Sequence, residues 1–296
     1  MRVLCYGSVN LDHIYNIRDF VMPGETCHAV SVETHCGGKG FNQAIAAAKA
    51  GLPVSLAGCI GQDGKVFLDK CRQVGIDTQY LHSIDVPTGS AVIQVNQQGE
   101  NCILLYGGAN QAVTRQQIDQ VLAAFQPGDV LMAQNEISQL AYLIEEAAER
   151  GMRIALNPSP MDRDITSEML RHVSWLFVNE VESEQLCGSG KPEQWLAQLC
   201  RLCPAGEVIL TLGKEGAYYS SANVTLHQNA FCVHAVDTTA AGDTFTGYFL
   251  AAILQTGDPA QALYTASKAA AIAVTRKGAY DSIPTRQEVE NTALGG

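Results

Sequence analysis

The sequence predicts an α/β fold, with one mostly parallel sheet covered by helices on both faces and a small β-sheet lid. Two features lead there. Between residues 115 and 211, helix-like stretches alternate with short apolar runs, as in a parallel sheet whose strands are buried on both sides. In the first third, segments near 13–36 and 88–107 carry strand-like alternation around turn residues, as antiparallel strands do. The 296 residues fit a single domain over 1–296, long enough to bury a core without disulfides or a structural metal.

Val3 to Val9 is an apolar run ending in polar residues and reads as a buried strand. Thr26 to Cys36 alternates and reads as a half-exposed strand. Gly37-Gly38-Lys39-Gly40 opens an alanine-rich helix, Phe41 to Ala50, which Gly51 closes. Val54 to Cys59 is a second buried strand, and Asp63 to Val74 a helix closed by Gly75. Ser90 to Val95 and Asn101 to Tyr106 flank Asn96-Gln97-Gln98-Gly99-Glu100, a hairpin signal. Strands follow at Val130 to Ala133, Arg153 to Asn157, Trp175 to Val178 and Glu207 to Thr211. Helices lie near Arg115 to Phe125, at Gln139 to Arg150 and near Met169. Two long apolar helices end the chain, one from near Gly242 to about Gln255 and one from about Ala260 to Thr275.

The formal net charge of −11 and the lack of a basic patch argue against a nucleic-acid partner. A single nucleotide is compatible with that charge, because backbone amides and a metal ion can hold it. The ten cysteines are scattered. Cys5, Cys59, Cys102 and Cys232 sit in apolar runs and read as buried small hydrophobes of a reducing compartment. Cys200-x-x-Cys203 lacks the second pair or histidine cluster of a zinc site and reads as one helix face. No signal segment and no 18-residue apolar stretch is visible, which predicts a cytoplasmic protein without a membrane partner.

Ligands collect at the carboxyl ends of strands in open α/β sheets. Three polar or glycine-rich segments qualify. In Ala240-Ala241-Gly242-Asp243, small residues lead into a helix whose first turn has unpaired N–H groups that favour an anion. Asp243 could take a proton from an attacking alcohol there. An equal reading of this segment alone is that Asp243 caps a helix whose first turn must be small to pack. Gly37-Gly38-Lys39-Gly40-Phe41-Asn42-Gln43 is neither a Walker A loop nor a dinucleotide fingerprint, since Gln43 stands where the third glycine should be. It suits a plain tight turn, or backbone approach by a polyhydroxylated ligand with Asn42 as partner. Asn10 and Asp12 are a third candidate, Asp12 accepting two hydroxyls or standing as a solvated loop carboxylate. Asn179 and Glu182 could organise water around Mg²⁺, or Asn179 could simply cap a helix.

Several of these segments match one known family in order. The chain resembles the ribokinase (PfkB) family of carbohydrate kinases, and its ribokinase branch most closely. The resemblance rests on Gly7-Ser8-Val9-Asn10-Leu11-Asp12-His13, Pro23-Gly24-Glu25-Thr26, Gly37-Gly38-Lys39-Gly40 with Asn42-Gln43, and Gly107-Gly108-Ala109-Asn110. It continues through Asn157-Pro158-Ser159-Pro160, Asn179-Glu180-Val181-Glu182, Thr211-Leu212-Gly213 with Gly216, and Asp237-Thr238 with Ala240-Ala241-Gly242-Asp243-Thr244-Phe245. It ends in Ala269 to Ala279.

The resemblance implies a doubly wound α/β fold whose β lid also forms a homodimer contact. It implies ATP-dependent phosphorylation of a primary hydroxyl, in the ribokinase branch the 5-hydroxyl of D-ribose. Asp243 would be the base, with Ala240, Ala241 and Gly242 as anion hole. Asn10, Asp12, Gly38, Lys39, Gly40, Asn42 and Glu136 would hold the sugar. Asn179, Thr211, Leu212, Gly213, Gly216 and Ser267 would border ATP, and Glu182 would orient Mg²⁺ waters. Asp237, Thr239, Ala273, Arg276, Gly278 and Ser282 would hold K⁺, several through backbone carbonyls. Phe41 departs from the small residue usual beside the sugar asparagine, and Ser267 from the usual His or Asn. Phe41 is the main support for the competing readings, a fructokinase or a nucleoside kinase. A non-catalytic sugar-binding protein would lack the base or the anion hole, and both are present.

Overall fold

The computed structural model describes residues 1–161 and 165–294. Strand β1 (Val3–Tyr6) is apolar and buried at every position. It stops before Val9, earlier than its apolar run predicts, because Gly7 and Ser8 turn the chain over the start of the next helix, where the Phe41 N–H donates to the Ser8 carbonyl at 2.9 Å. The chain leaves into β2 (Asn10–Asn16), which pairs antiparallel with β3 (Ser31–Gly37) from Asn10↔Gly37 to Asn16↔Ser31. That register sets the start of β3, so residues 26–30 lie outside the strand expected there.

Helix α1 (Lys39–Lys49) begins on Gly38, whose φ of 93° favours a residue without a side chain. Strand β4 (Val54–Ile60), helix α2 (Lys65–Gln73) and strand β5 (Asp77–Ser83) follow, then the hairpin β6 (Gly89–Val95) and β7 (Asn101–Tyr106). The regular alternation comes next: α3 (Arg115–Leu122), β8 (Val130–Gln134), α4 (Leu140–Glu149), β9 (Arg153–Asn157), α5 (Ser167–Arg171), β10 (Trp175–Asn179), α6 (Glu180–Cys187), α7 (Pro192–Leu202) and β11 (Glu207–Thr211). Strands β12 (Ala217–Ser220) and β13 (Thr225–Gln228) precede helices α8 (Ala241–Thr256), α9 (Pro259–Ala273) and α10 (Arg286–Asn291).

The large sheet runs β13-β12-β11-β10-β9-β8-β1-β4-β5 and is parallel from β5 to β11, with β12 and β13 antiparallel at one edge. The small sheet is β3-β2-β6-β7. The chain builds outward from β1 to β5, then returns to β8 and builds the other way. Beside β1 the connections therefore diverge and leave a crevice at the strand ends. One sheet face is packed by α1, α2, α8 and α9 through Phe41, Phe67, Phe249 and Leu263. The other is packed by α3, α4, α5 and α7 through Ile118, Leu143, Leu170 and Leu199.

Cys5, Cys59 and Cys203 are buried, but Cys27, Cys102 and Cys232 are exposed. For Cys102 the reason is that β7 is an edge strand exposed along its whole length, so its apolar neighbours bury nothing. Among the described residues no helix is long and apolar enough to cross a membrane.

Helices α1 and α8 approach closely at Gly247. A Cβ there would meet the Ala46 side chain and stand 2.6 Å from the Ala47 nitrogen. Gly247→Ala should therefore lower the unfolding free energy by about 1–3 kcal/mol, the usual cost of forcing an extra carbon into a packed contact. Urea denaturation measures this, and parental stability would contradict the packing described.

Candidate active site

The first turn of α8 and the first turn of α1 face each other across the crevice. Asp243, 8% exposed, accepts from Asn42 Nδ2 at 3.1 Å on Oδ2 and from Gln43 Nε2 at 3.0 Å on Oδ1. Both oxygens are thus held by neighbouring residues of α1. Gln43 is fixed in turn, because its Oε1 accepts from Gln134 Nε2 at 2.6 Å and its Nε2 also reaches Asn157 Oδ1 at 3.3 Å. This chain sets which end of the Gln43 amide faces Asp243. Ala240, just ahead of the helix, has φ 57°, a left-handed conformation that costs a residue with a Cβ about 1–2 kcal/mol. The Thr244 N–H and hydroxyl both donate to its carbonyl, at 2.8 Å each.

A cleft of about 240 Å³ opens beside this turn. Lys39, Asn179, Glu182, Thr211, Ala240, Ala241, Gly242 and Asp243 all line it. Burial works against the Lys39 ammonium, but Asp243, Glu136 and Glu182 outweigh it and raise its pKa above the usual lysine value. Glu136, at the end of the crevice, accepts from the Ser8 hydroxyl and from the Lys39 N–H at 3.3 Å. Burial is the main cause that raises its pKa, against the pull of Lys39. Asp12 on β2 is pushed up to about 7, first by burial and then by Glu136 and Asp243, with His35 acting the other way. Asn10 is oriented by Asn110, whose Nδ2 donates to its Oδ1 at 2.7 Å. Gly40 is buried, and its N–H donates to Ser8 Oγ at 3.3 Å.

Toward the other end of the cleft, Asn179 and Glu182 form a reciprocal cap on α6. The Glu182 carboxylate accepts from the Asn179 N–H at 2.8 Å and from its Nδ2 at 3.1 Å, while the Glu182 N–H donates to Asn179 Oδ1 at 2.9 Å. The capping role is therefore real, and Glu182 still borders the cleft. Leu212 is buried, and Gly213 and Gly216 form the turn into β12 with φ 52° and 96°. Ser267 lies buried on α9 and is not among the residues that line the cleft.

The loop before α8 is bolted to the loop after α9. Asp237 Oδ1 accepts from the Thr239 N–H at 2.9 Å and hydroxyl at 2.6 Å, and its Oδ2 accepts from the Gly278 N–H at 2.9 Å. The Val236 and Asp237 N–H groups both donate to the Val274 carbonyl, at 2.7 and 3.2 Å. Burial opposes the Asp237 carboxylate, yet these bonds and Lys277 hold its pKa below the ordinary value. Arg276 is drawn toward α10, pairing with Glu288 at 2.7 Å. Ser282 is fully buried and donates to the Ala279 carbonyl at 2.7 Å.

Sequence reasoning gave no role to Gln43, Gln134, Asn110 or Ser8. The available signal was a polar side chain closing an apolar strand at its carboxyl end, as Gln134 closes β8. Phe41 does not line the cleft. Its ring is wholly buried, edge-on to Phe67 at 5.0 Å and to Tyr280 at 5.5 Å.

The profile of the pfkB family carbohydrate kinases matches residues 1–286. The chain is 37% identical over 291 residues to the ribokinase of Haemophilus influenzae, which covers 95% of each chain. Its fold matches that of the Thermotoga maritima ribokinase with a TM-score of 0.89 at 33% identity, covering 98% of both. It also matches the Arabidopsis thaliana ribokinase complexed with ribose and ATP, with a TM-score of 0.87 at 29% identity, covering 98% of this chain and 97% of the other. A match along nearly the whole sequence, on the same doubly wound sheet with its small second sheet, makes this chain a member of the pfkB family of carbohydrate kinases, an ATP-dependent sugar kinase.

Proposed function

We propose that the chain is a ribokinase, transferring the γ-phosphoryl group of ATP to the 5-hydroxyl of D-ribose with Asp243 as general base. The observation that carries this reading is the clamping of Asp243 by Asn42 and Gln43 beside the first turn of α8. The sugar hydroxyl gives its proton to Asp243 as its oxygen bonds to the γ-phosphorus. The bridging P–O bond breaks with its electron pair going to ADP. The N–H groups of Ala240, Ala241 and Gly242 receive the charge on the moving phosphoryl group.

The sugar lies on Asn10, Asp12, Gly38, Lys39, Gly40, Asn42 and Glu136. Asn42 Oδ1 is buried and has no hydrogen-bond partner among the described residues, which suits a sugar hydroxyl as its donor. Asn179, Thr211, Leu212, Gly213 and Gly216 border ATP. Asp243, Glu136 and Glu182 act on the ammonium of Lys39, and Asp12 feels Glu136 and Asp243 in turn, so a triphosphate entering this cleft needs a divalent cation with it. Mg²⁺, its waters oriented by Glu182, would neutralise the phosphates. Asp237, Thr239, Ala273, Arg276, Gly278 and Ser282 would hold K⁺, several through backbone carbonyls, and so stiffen the loop leading to the anion hole. The Arg276 side chain is engaged by Glu288 and leaves the carbonyl for this role.

Support for ribose comes from relatives named ribokinase, among them the one from Haemophilus influenzae. Phe41 gives no support to another sugar, because its ring packs in the core. The small sheet supports a homodimer. Its edge strand β7 exposes Leu104 at 71% and Tyr106 at 54%, and the register puts both on one face with Val92. Sedimentation should give a dimer that Leu104→Asp converts to a monomer; a parental monomer would rule the contact out.

A sugar panel with ATP and Mg²⁺, with and without K⁺, tests the function. D-ribose should exceed D-fructose and adenosine by roughly tenfold or more in kcat/KM, and K⁺ should raise kcat. Ribose inert beside a rapidly phosphorylated fructose or nucleoside would refute the assignment. Asp12 adds a pH signature. Its pKa of about 7 means the hydroxyl-accepting carboxylate is lost as pH falls. The sugar KM should rise about tenfold from pH 8 to pH 6, and Asp12→Asn should flatten that profile at a higher KM. A KM independent of pH in the parent would contradict it.

A further inference from the structure

Gln134 ends β8 after four apolar residues and is fully buried. It does not line the cleft. Packing alone does not favour an amide here. Its Oε1 is buried and has no hydrogen-bond partner among the described residues, a cost that an apolar side chain of the same shape would not carry. Its Nε2 is fully used instead. It donates to Gln43 Oε1 at 2.6 Å and reaches Cys5 Sγ at 3.9 Å.

The bonds around Gln134 run in one direction, and backbone carbonyls set it. The Cys5 thiol donates to the Gly40 carbonyl at 3.2 Å. Burial pushes the Cys5 pKa up to about 12, so the sulfur keeps its hydrogen. With that hydrogen spent on Gly40, the sulfur is left to accept from Gln134. Gln134 therefore presents N–H groups to Gln43 as well. Gln43 turns its oxygen to Gln134 and its Nε2 to Asp243 Oδ1 and Asn157 Oδ1, at 3.0 and 3.3 Å. Asn157 is fixed from the far side, because its Nδ2 donates to the Phe177 carbonyl at 3.0 Å. A carbonyl cannot donate, so neither end of this chain can be reversed. Turning Gln43 over would set its oxygen against two other oxygens and its N–H groups against those of Gln134.

We propose that Gln134 is a positioning residue for phosphoryl transfer, which aims the Asp243 carboxylate at the sugar hydroxyl by fixing the polarity of the Gln43 amide. This rests on the reading of Asp243 as the base. Asn42 holds the other carboxylate oxygen, so Asp243 stays in the site without Gln134, but Oδ1 loses its fixed donor. The sugar and ATP contacts lie elsewhere. A defect in turnover without a defect in binding is the consequence.

Gln134→Met, which keeps the length of the side chain and removes its N–H groups, tests this with whichever sugar the parent phosphorylates fastest. Its kcat should fall about ten- to a hundredfold, the usual cost of a misaimed catalytic group. KM for sugar and ATP, and the calorimetric sugar affinity, should stay within about twofold of the parent. Urea denaturation of the same preparation reports folding. Gln43→Met removes the same link from its other side and should lower kcat at least as much. The double variant should be no slower than Gln43→Met, since a residue that acts only through Gln43 then has nothing to act on. In the Asp243→Asn background Gln134→Met should cost less than about twofold. Parental kcat in either folded single variant, equal losses of kcat and sugar affinity, additive losses in the double variant, or a full loss in the Asp243→Asn background would each overturn the proposal and leave the base assignment standing. Near-parental turnover of Asp243→Asn alone would instead refute the base, and this proposal with it.

Discussion

Asp243 sits where two helix starts meet, its carboxylate spanned by the amides of Asn42 and Gln43. Much of the architecture serves that meeting. Gly247 lets α8 lie against Ala46 and Ala47 of α1, which brings the two first turns into register. Gln134, at the end of β8, holds Gln43 from below, so the central sheet fixes the amide that fixes the acid. Two amide donors fix the direction of both carboxylate oxygens. That orientation suits the proton-accepting role proposed for it.

The charge arrangement follows from the same convergence. Three carboxylates, Asp243, Glu136 and Glu182, act on one lysine, and Asp12 feels two of them, Glu136 and Asp243. Burial and mutual repulsion raise Asp12 and Glu136, and Lys39 is held protonated by its neighbours. A cleft this acidic suits the proposed neutral sugar on one side and the proposed metal-neutralised triphosphate on the other. The bolted loops at Asp237 and Gly278 stand directly behind the strained Ala240. In the proposed function, stiffening them would therefore bear on the anion hole more than on the sugar site.

The sheet was largely readable in the sequence because buried parallel strands are continuous apolar runs. The helices read equally well where glycines close them. Polar strands were harder: β5 has few apolar residues, and the start of β3 depends on pairing with β2, which no local pattern encodes. Asp243, Asn42 and Lys39 stood out because their segments are glycine-rich or charged. Gln43 and Gln134 did not, since a buried amide looks like any other glutamine until its partners, 200 and 91 residues away in sequence, are brought beside it. Phe41 misled for the opposite reason. Its position beside Asn42 in sequence says nothing about direction, and a helix places adjacent residues about 100° apart.

The proton-accepting role of Asp243 is tested most directly by Asp243→Asn, with turnover and sugar affinity measured on the same preparation. The amide keeps the size of the side chain and removes its basicity. Turnover should fall by about 10²–10⁴-fold while the calorimetric affinity for the sugar stays near that of the parent. Turnover within a few-fold of the parent, at equal affinity, would show that the clamped carboxylate is structural and that another group takes the proton.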